Sequence, residues 1–146
     1  MRFEKMIKEH LQEAAIFYTK AFNAPPWNDH FTEKSSRKRL TLMLSDNSAD
    51  AMVAYDDESH MVGLILGNYE YNDEYLVFQI KEFCVDTHKK GQGIGTKLLN
   101  TMVQYVKDKG VEEIYLLTLR TNATEGYYKR LGYVNVEEWV MMKKKI

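Results

Sequence analysis

Three glycines at alternate positions, Gly91, Gly93 and Gly95, lie between an apolar segment, YLVFQIKEFCV, and a helical pattern. The pattern consists of apolar residues at helical spacing, Ile94, Leu98, Met102 and Val106. A helix start binds anions because its first N–H groups lack internal partners, and glycines let the backbone approach a phosphate. Lys89, Lys90 and Lys97 add positive charge nearby. The order of strand, glycines and helix therefore predicts a phosphate-binding turn, and a glycine-rich connection without a ligand is the alternative.

The remaining periodicities predict one α/β domain over residues 1–146 with a mixed sheet. The expected elements are, in chain order, a strand at RFEKMI, a helix over residues 8–23, a helix from Thr32 to about Leu44, strands at DAMVAYD and HMVGLILGNYEY, a strand from Glu74 to Val85, the helix after the glycines, a strand at VEEIYLLTL, a short helix within NATEGYYKRLGY and a closing strand at WVMMKKK. An additional strand after Tyr133 fits the same pattern.

Composition excludes several classes of protein. The formal net charge of −1 does not indicate a general nucleic-acid binder, and the single cysteine, Cys84, excludes an internal disulfide framework. No apolar run approaches the ~20 residues of a membrane span, and the segment MRFEKMIKEH lacks the apolar stretch of a signal peptide. The four histidines lack metal-ligand spacing. We therefore expect a cytoplasmic protein without a bound metal and without a nucleic-acid or membrane partner.

Two common phosphate-binding motifs do not match the glycine turn. A dinucleotide fingerprint requires a third glycine, and Thr96 occupies that position. The nucleotide P-loop requires Gly-Lys-Ser/Thr after four intervening residues, a spacing that this segment does not have.

The segment KKGQGIGTKLL instead resembles the acyl-CoA loop of the GNAT N-acetyltransferase superfamily, Q/R-x-x-G-x-G/A. Gly93 and Gly95 match its glycines, and Lys90 stands at the Gln/Arg position, where it retains the charge without the planar fork of arginine. TNATEGYYKRLGY resembles the family's second signature, Tyr-x-x-x-Gly-aromatic, through Asn122, Tyr128, Gly132 and Tyr133. The resemblance implies a mostly antiparallel sheet flanked by helices, acetyl-CoA as donor and a primary amine as acceptor.

In the strand before the glycines, the large apolar residues change from one face of the sheet to the other. Large apolar residues occupy even positions up to Ile80 and odd positions from Phe83 onward. Because side chains alternate between the two faces of a sheet, this change predicts one extra residue, a β-bulge near Lys81–Glu82. Val77 and Cys84 are also apolar, so a strand buried on both faces without a bulge remains the alternative.

The resemblance also implies the cofactor contacts. In the family, such a bulge opens this strand from the next one, and the pantetheine arm pairs with backbone groups of the first strand. Carried onto this sequence, the cofactor-binding residues are Phe83, Cys84, Val85, Lys90, Gly91, Gln92, Gly93, Ile94, Gly95, Thr96, Asn122 and Tyr128.

Amide formation from a thioester requires the amine to lose a proton and the leaving thiolate to gain one. Tyr128 is the candidate acid, because a phenol is protonated at neutral pH, and core packing is its alternative role. Glu82 is the candidate base at the expected bulge; a surface ion pair with Lys81, or a water chain as the base, are the alternatives. Cys84 is not expected to be a nucleophile, because no histidine lies near it in sequence.

Two segments with aromatic and acidic residues, NAPPWNDHFTE and NYEYNDEY, correspond to the acceptor walls of the family. The candidate substrate-binding residues are Trp27, Asp29, Glu33, Glu70 and Glu74, which suit a small cationic amine. Solvated acidic loops are the alternative. The resulting hypothesis is a GNAT-type acyltransferase acting by direct attack in a ternary complex. A non-catalytic acyl-CoA sensor and a nucleotide-binding regulatory module are the rival functions, and a homodimer stays open.

Overall fold

A computed structural model describes residues 1–146. Its helices and strands are β1 (Arg2–Lys5), α1 (Leu11–Asn23), α2 (Glu33–Leu44), β2 (Ala49–Tyr55), β3 (Met61–Asn72), β4 (Tyr75–Val85), α3 (Ile94–Asp108), β5 (Val111–Leu116) and α4 (Glu125–Arg130). Short 3₁₀ turns precede α1 at Lys8–His10 and follow β4 at Thr87–Lys89. No helix is long and apolar enough to cross a membrane.

The five strands form one sheet in chain order, β1-β2-β3-β4-β5. β1 to β4 are antiparallel neighbours, and β5 lies parallel to β4 because α3 carries the chain back across one face. The expected α/β fold with a mostly antiparallel sheet and flanking helices is confirmed.

Two apolar layers cover the two faces of this sheet. On one face, α1 and α2 pack Tyr18 and Leu40 against Leu64 of β3. On the other face, α3 packs Leu98 and Met102 against the sheet. All five side chains are at most 1% exposed, and burying each of the apolar ones contributes about 1.5–3 kcal/mol. The helices are thereby held against opposite faces, and the two faces present different residues at the end of β4.

The predicted bulge in β4 is confirmed. Leu66 of β3 pairs with Glu82, and the next residue, Gly67, pairs with Ile80, so Lys81 has no partner opposite. After the extra residue, odd-numbered and even-numbered side chains exchange faces of the sheet. As a result, Glu82 and Cys84 lie on the face of α1 and α2, whereas Phe83 packs in the layer that contains α3.

The expected closing strand at WVMMKKK is wrong. Residues 134–146 contain no helix or strand, and the N–H of Trp139, which donates to Val136 O at 3.2 Å, makes their one backbone hydrogen bond. β-Propensity alone does not make a strand, because a strand needs a neighbouring backbone with which to pair. The short helix expected within NATEGYYKRLGY is present as α4.

Candidate active site

An opening in the sheet lies beside the end of β4. The ladder between β4 and β5 ends at the pair Ile80–Leu116. From Lys81 to Val85, β4 pairs only with β3, and its other edge is free over about 16 Å at the usual strand rise. The bulge accounts for the separation, since an extra residue bends the strand and ends the pairing. The predicted contacts at Phe83, Cys84 and Val85 all fall on this free edge.

The three glycines at the end of this opening differ in backbone conformation and in their surroundings. Gly91 and Gly93 adopt φ values of +83° and +74°, which side chains rarely adopt, and Gly93 immediately precedes α3. A Cβ at either position would meet no protein atom within 4 Å. Gly95 has an ordinary φ, and a Cβ there would lie 3.4 Å from Phe83 Cζ, in van der Waals contact with β4.

The start of α3 presents free hydrogen-bond donors. The N–H groups of Ile94, Gly95 and Thr96 donate to no acceptor in the protein, and the first helical bond at this end runs from Lys97 N to Gly93 O at 3.0 Å. These donors and the positive end of the helix dipole suit a phosphate group. The residues of the turn therefore fit the pyrophosphate of coenzyme A.

The three lysines of the turn do not act alike. Lys89 Nζ lies 2.5 Å from Asp56 Oδ2, and this contact holds the pKa of Asp56 down to about 2. Lys90 Nζ donates to Pro25 O at 3.1 Å, which joins the glycine turn to the segment after α1. Lys97 is exposed and has no protein partner. Lys89 alone of the three is paired with a carboxylate, so the charges of Lys90 and Lys97 remain available to an anion.

Tyr128 lies beside the opening. Its ring centroid is 6.4 Å from that of Phe83, 5.2 Å from Tyr127 and 5.4 Å from Tyr133. The hydroxyl bonds no protein group but is not sealed from solvent. Burial raises the pKa of Tyr128, and Tyr127 and Tyr133 add to the rise, so the phenol keeps its proton at neutral pH. The arrangement leaves a proton donor without a protein partner on a ring that lies 6.4 Å from that of Phe83 on β4.

Asn122 lies in a separate polar pocket at the start of α4. Its Oδ1 accepts from Arg130 Nη1 at 3.3 Å, and a Cβ at Gly126 would lie only 2.6 Å from that oxygen. The pocket has a volume of about 360 Å³ and is lined by Arg120, Thr121, Asn122, Glu125, Gly126 and Lys129. The structure thus places Asn122 next to basic side chains rather than on the β4 edge.

Glu82 is buried, with 5% of its side chain exposed, and forms the centre of a charged cluster. Arg39 Nε donates to Oε1 at 2.6 Å and Arg39 Nη2 forms an ion pair with the same oxygen at 2.5 Å. The Tyr18 hydroxyl donates to Oε2 at 2.9 Å. Burial raises the pKa of Glu82, while Arg39 and Tyr18 oppose the rise by stabilising the carboxylate. The alternative, a surface ion pair with Lys81, is not observed, because Glu82 is buried and pairs with Arg39.

Cys84 lies beside this cluster and is buried. Burial raises the pKa of its thiol well above the usual value, and the charge of Glu82 raises it further. A thiolate is therefore disfavoured at this position, which argues against a covalent cysteine mechanism.

The segment between α1 and α2 is held near the Glu82 cluster. Two hydrogen bonds between Asn23 and Phe31 fix it. Asn23 Nδ2 donates to the Phe31 carbonyl oxygen, and the Phe31 backbone N–H donates to Asn23 Oδ1, both at 2.8 Å. Trp27 is half-buried with its ring 5.5 Å from Phe22, and the charge of Asp29 contributes to the raised pKa of Glu82. Glu33 opens α2 and is exposed.

The second predicted acceptor segment lies elsewhere. Glu70 is near the tip of the β3–β4 hairpin, where Tyr115 Oη donates to its Oε1 at 3.0 Å, and Glu74 is in the hairpin turn. Eight residues of strand separate Glu74 from Glu82, a distance of about 26 Å. The structure therefore does not bring the two segments together, and a small acceptor beside Glu82 does not reach Glu74.

Comparison with known proteins decides the family. The model of the acetyltransferase (GNAT) family matches residues 8–133. The chain belongs to the GNAT family. Members of this family generally use acetyl-CoA as acyl donor, and the assignment makes the chain an acyltransferase.

Relatives of this GNAT protein agree with that assignment. An uncharacterized N-acetyltransferase of Methanocaldococcus jannaschii is 37% identical over 48% of the chain, and the match spans a third (33%) of that relative. A probable acetyltransferase superposes with a TM-score of 0.82 at 19% identity, over 100% of this chain and 98% of that one. A possible acetyltransferase from Clostridium difficile 630 gives 0.81 at 18% identity, over 99% and 97%. At these identities the two structures show the fold.

Sequence reasoning missed two residues of the candidate site, Tyr18 and Arg39. Tyr18 has the spacing of a core residue on α1, and Arg39 is one of four basic residues of α2. Neither has a local signal, because the contacts to Glu82 span 64 and 43 positions of the chain.

Proposed function

We propose that this protein transfers the acetyl group of acetyl-CoA to the primary amine of a small cationic molecule by direct attack in a ternary complex. One observation carries the proposal: the free edge of β4 connects the glycine turn, the Tyr128 hydroxyl and the Glu82 cluster. A donor bound along that edge has an acid on one face of the sheet and a carboxylate on the other.

Different groups of the protein would bind different parts of acetyl-CoA. The free edge at Phe83, Cys84 and Val85 would take the pantetheine arm as an extra strand, since its amides pair as a peptide does. The N–H groups at the start of α3 and Lys97 would take the pyrophosphate. Acetyl-CoA supplies an activated acyl group and a thiolate leaving group.

Proton transfer is assigned to two residues. A cationic amine loses two protons overall as the N–C bond forms and the C–S bond breaks. Glu82 receives one, directly or through a water, and releases it to solvent; its raised pKa suits a base near neutral pH better than an ordinary carboxylate does. Tyr128 provides a proton to the sulfur and is reprotonated from the amine by way of solvent.

The proposal of a small cationic acceptor rests on the charge and shape of the residues beside the Glu82 cluster. Trp27 and Asp29 lie in the segment held by Asn23 and Lys90, next to the Glu82 cluster, and Glu33 begins the following helix. An aromatic face and carboxylates favour a cation. Glu70 and Glu74, at the far end of the sheet, are not part of this proposal.

The test is a panel of small amines and peptide N-termini assayed with acetyl-CoA, with free thiol release and mass spectrometry of the product as readouts. We expect release only with amines, and fastest with small cationic ones. Stabilisation by acetyl-CoA without turnover across the panel would indicate the sensor. Equal stabilisation by NAD or ATP would contradict the assignment of the turn.

A further inference from the structure

One side chain joins the glycine turn to the segment between α1 and α2. Lys90, which directly precedes Gly91, donates from Nζ to Pro25 O at 3.1 Å, and this is the one hydrogen bond that its side chain makes in the protein. A lysine ammonium group carries three N–H donors. The remaining donors and the positive charge of Lys90 are therefore available to an anion at the turn.

The central part of the segment, residues 24–28, depends on this bond. Its backbone bonds close on themselves, since the N–H groups of Trp27 and Asn28 both donate to Ala24 O, at 3.2 and 3.1 Å. The hydrogen bonds described above fix only the two ends of the segment. Lys90 thus provides the single hydrogen bond that links residues 24–28 to another element of the fold.

The position of this segment determines the shape of the proposed acceptor site. Trp27 is half-buried with its ring 5.5 Å from that of Phe22. Phe31 lies with its ring 5.1 Å from that of Tyr18, whose hydroxyl donates to Glu82. A segment that is held still therefore gives the Glu82 cluster a fixed aromatic wall, and a segment that moves does not.

We infer that Lys90 is a positioning residue that couples the donor site to the acceptor site. An anion at the glycine turn engages the free donors of Lys90, holds its ammonium group in place and so fixes residues 24–28 for the acceptor. A bond between an ammonium group and a phosphate is charge-assisted, so it restrains the flexible lysine side chain more strongly than a neutral carbonyl does. The inference rests on the proposed function, because it requires the pyrophosphate of the donor at the turn.

Tryptophan fluorescence tests the coupling without any turnover. Trp139→Phe leaves Trp27 as the one tryptophan of the chain, because the sequence contains two. In this background, coenzyme A should reduce the quenching of Trp27 by acrylamide. Lys90→Met removes the bond and the charge, so Trp27 should be more easily quenched from the start and coenzyme A should not change it. Lys90→Arg keeps the charge and several donors and should restore the response.

Lys97→Met is the matched control, because Lys97 is an exposed lysine of the same turn without a protein partner. Both methionine variants should weaken the binding of coenzyme A by about 2–5-fold in calorimetry, as expected for one exposed charge. Only Lys90→Met should lose the Trp27 response. Its KM for the amine should also rise by about 5-fold or more, the lower end of couplings between sites, whereas Lys97→Met should leave that KM unchanged.

The outcomes separate this inference from the function on which it rests. If calorimetry detects no binding of coenzyme A, the proposed donor and the coupling are both refuted. If coenzyme A binds but leaves the quenching of Trp27 unchanged, or makes it easier, then the coupling through Lys90 is wrong while the proposed donor stands. An equal Trp27 response in Lys90→Met and Lys97→Met would also overturn the inference.

Discussion

Arg39 binds a single oxygen of Glu82 through two nitrogens, Nε at 2.6 Å and Nη2 at 2.5 Å. The contact joins α2 to the bulge of β4 on the face that α1 and α2 cover. Since Tyr18 takes the other oxygen, the carboxylate is fixed in one orientation. Both oxygens of the proposed base are therefore held by groups on α1 and α2.

Replacing Arg39 with alanine should move the acid limb of the kcat/KM profile to higher pH. The guanidinium favours the charged form of Glu82, so its loss raises the pKa of Glu82 further and leaves less carboxylate at a given pH. The free energy of unfolding should fall by about 1–2 kcal/mol, less than the 3–5 typical of a fully buried pair, because Arg39 is 45% exposed. Profiles of the amine reaction and denaturant titrations measure the two effects.

Two further variants make this test specific. Lys38→Ala, an exposed neighbour on α2, should change neither the limb nor the stability. Glu82→Gln should remove the limb altogether. An unchanged limb in Glu82→Gln would show that another group is the base.

Gly93→Ala should abolish the thermal stabilisation by acetyl-CoA. The new Cβ strains a φ of +74° and projects beside the free N–H groups of α3, where the phosphates are proposed to bind. Gly110→Ala is the matched control, because Gly110 has a φ of +93° and equally open surroundings but ends α3 instead of starting it. Both variants should lose about 1–2 kcal/mol of stability from strain. Equal loss of the acetyl-CoA shift in both would refute the assigned turn.

Tyr128→Phe should lower kcat by about 10²–10⁴-fold with little change in the KM for acetyl-CoA. The substitution removes only the hydroxyl and keeps the ring packed among Phe83, Tyr127 and Tyr133. Because burial raises the pKa of Tyr128, this group should produce no falling limb below its ordinary value near 10. Tyr127→Phe, whose hydroxyl lies 3.4 Å from Thr96 Oγ1, serves as the comparison. A larger kcat loss in Tyr127→Phe would assign the acid to that residue instead.

Local patterns predicted the parts of the site that depend on local geometry. The shift of the large apolar residues around Lys81 predicted the bulge because side-chain alternation is a property of the strand itself. The glycines predicted the turn before α3, and the structure adds that Gly93 has a positive φ there. The Glu82 cluster has no such signal, since its partners come from two helices distant in sequence. The family resemblance and the acidic composition grouped Glu74 with Asp29, and the length of β4 shows that Glu74 is far from the Glu82 cluster. The prediction of a closing strand was wrong because a strand needs a neighbouring backbone to pair with, which the sequence of the segment does not show.

The proposed cationic acceptor predicts that Asp29→Asn raises the KM for the amine and leaves the KM for acetyl-CoA nearly unchanged. Asp29 lies close enough to Glu82 to affect its pKa and is exposed, so its attraction for a cation is partly screened, and an effect of about 3–10-fold is expected. Rising salt should reduce the difference between Asp29→Asn and the unaltered protein, because screening removes the same attraction.

Glu74→Gln is the control for this last prediction, since it removes the same charge about 26 Å along β4 from Glu82. It should leave both KM values unchanged. The test measures the KM values of the unaltered protein and of both variants with one cationic amine and with a neutral amine of similar size, at two ionic strengths. If Asp29→Asn and Glu74→Gln behave alike, or if the neutral amine is used as well as the cationic one, then the acidic residues between α1 and α2 are solvated surface and the acceptor is recognised by shape at Trp27.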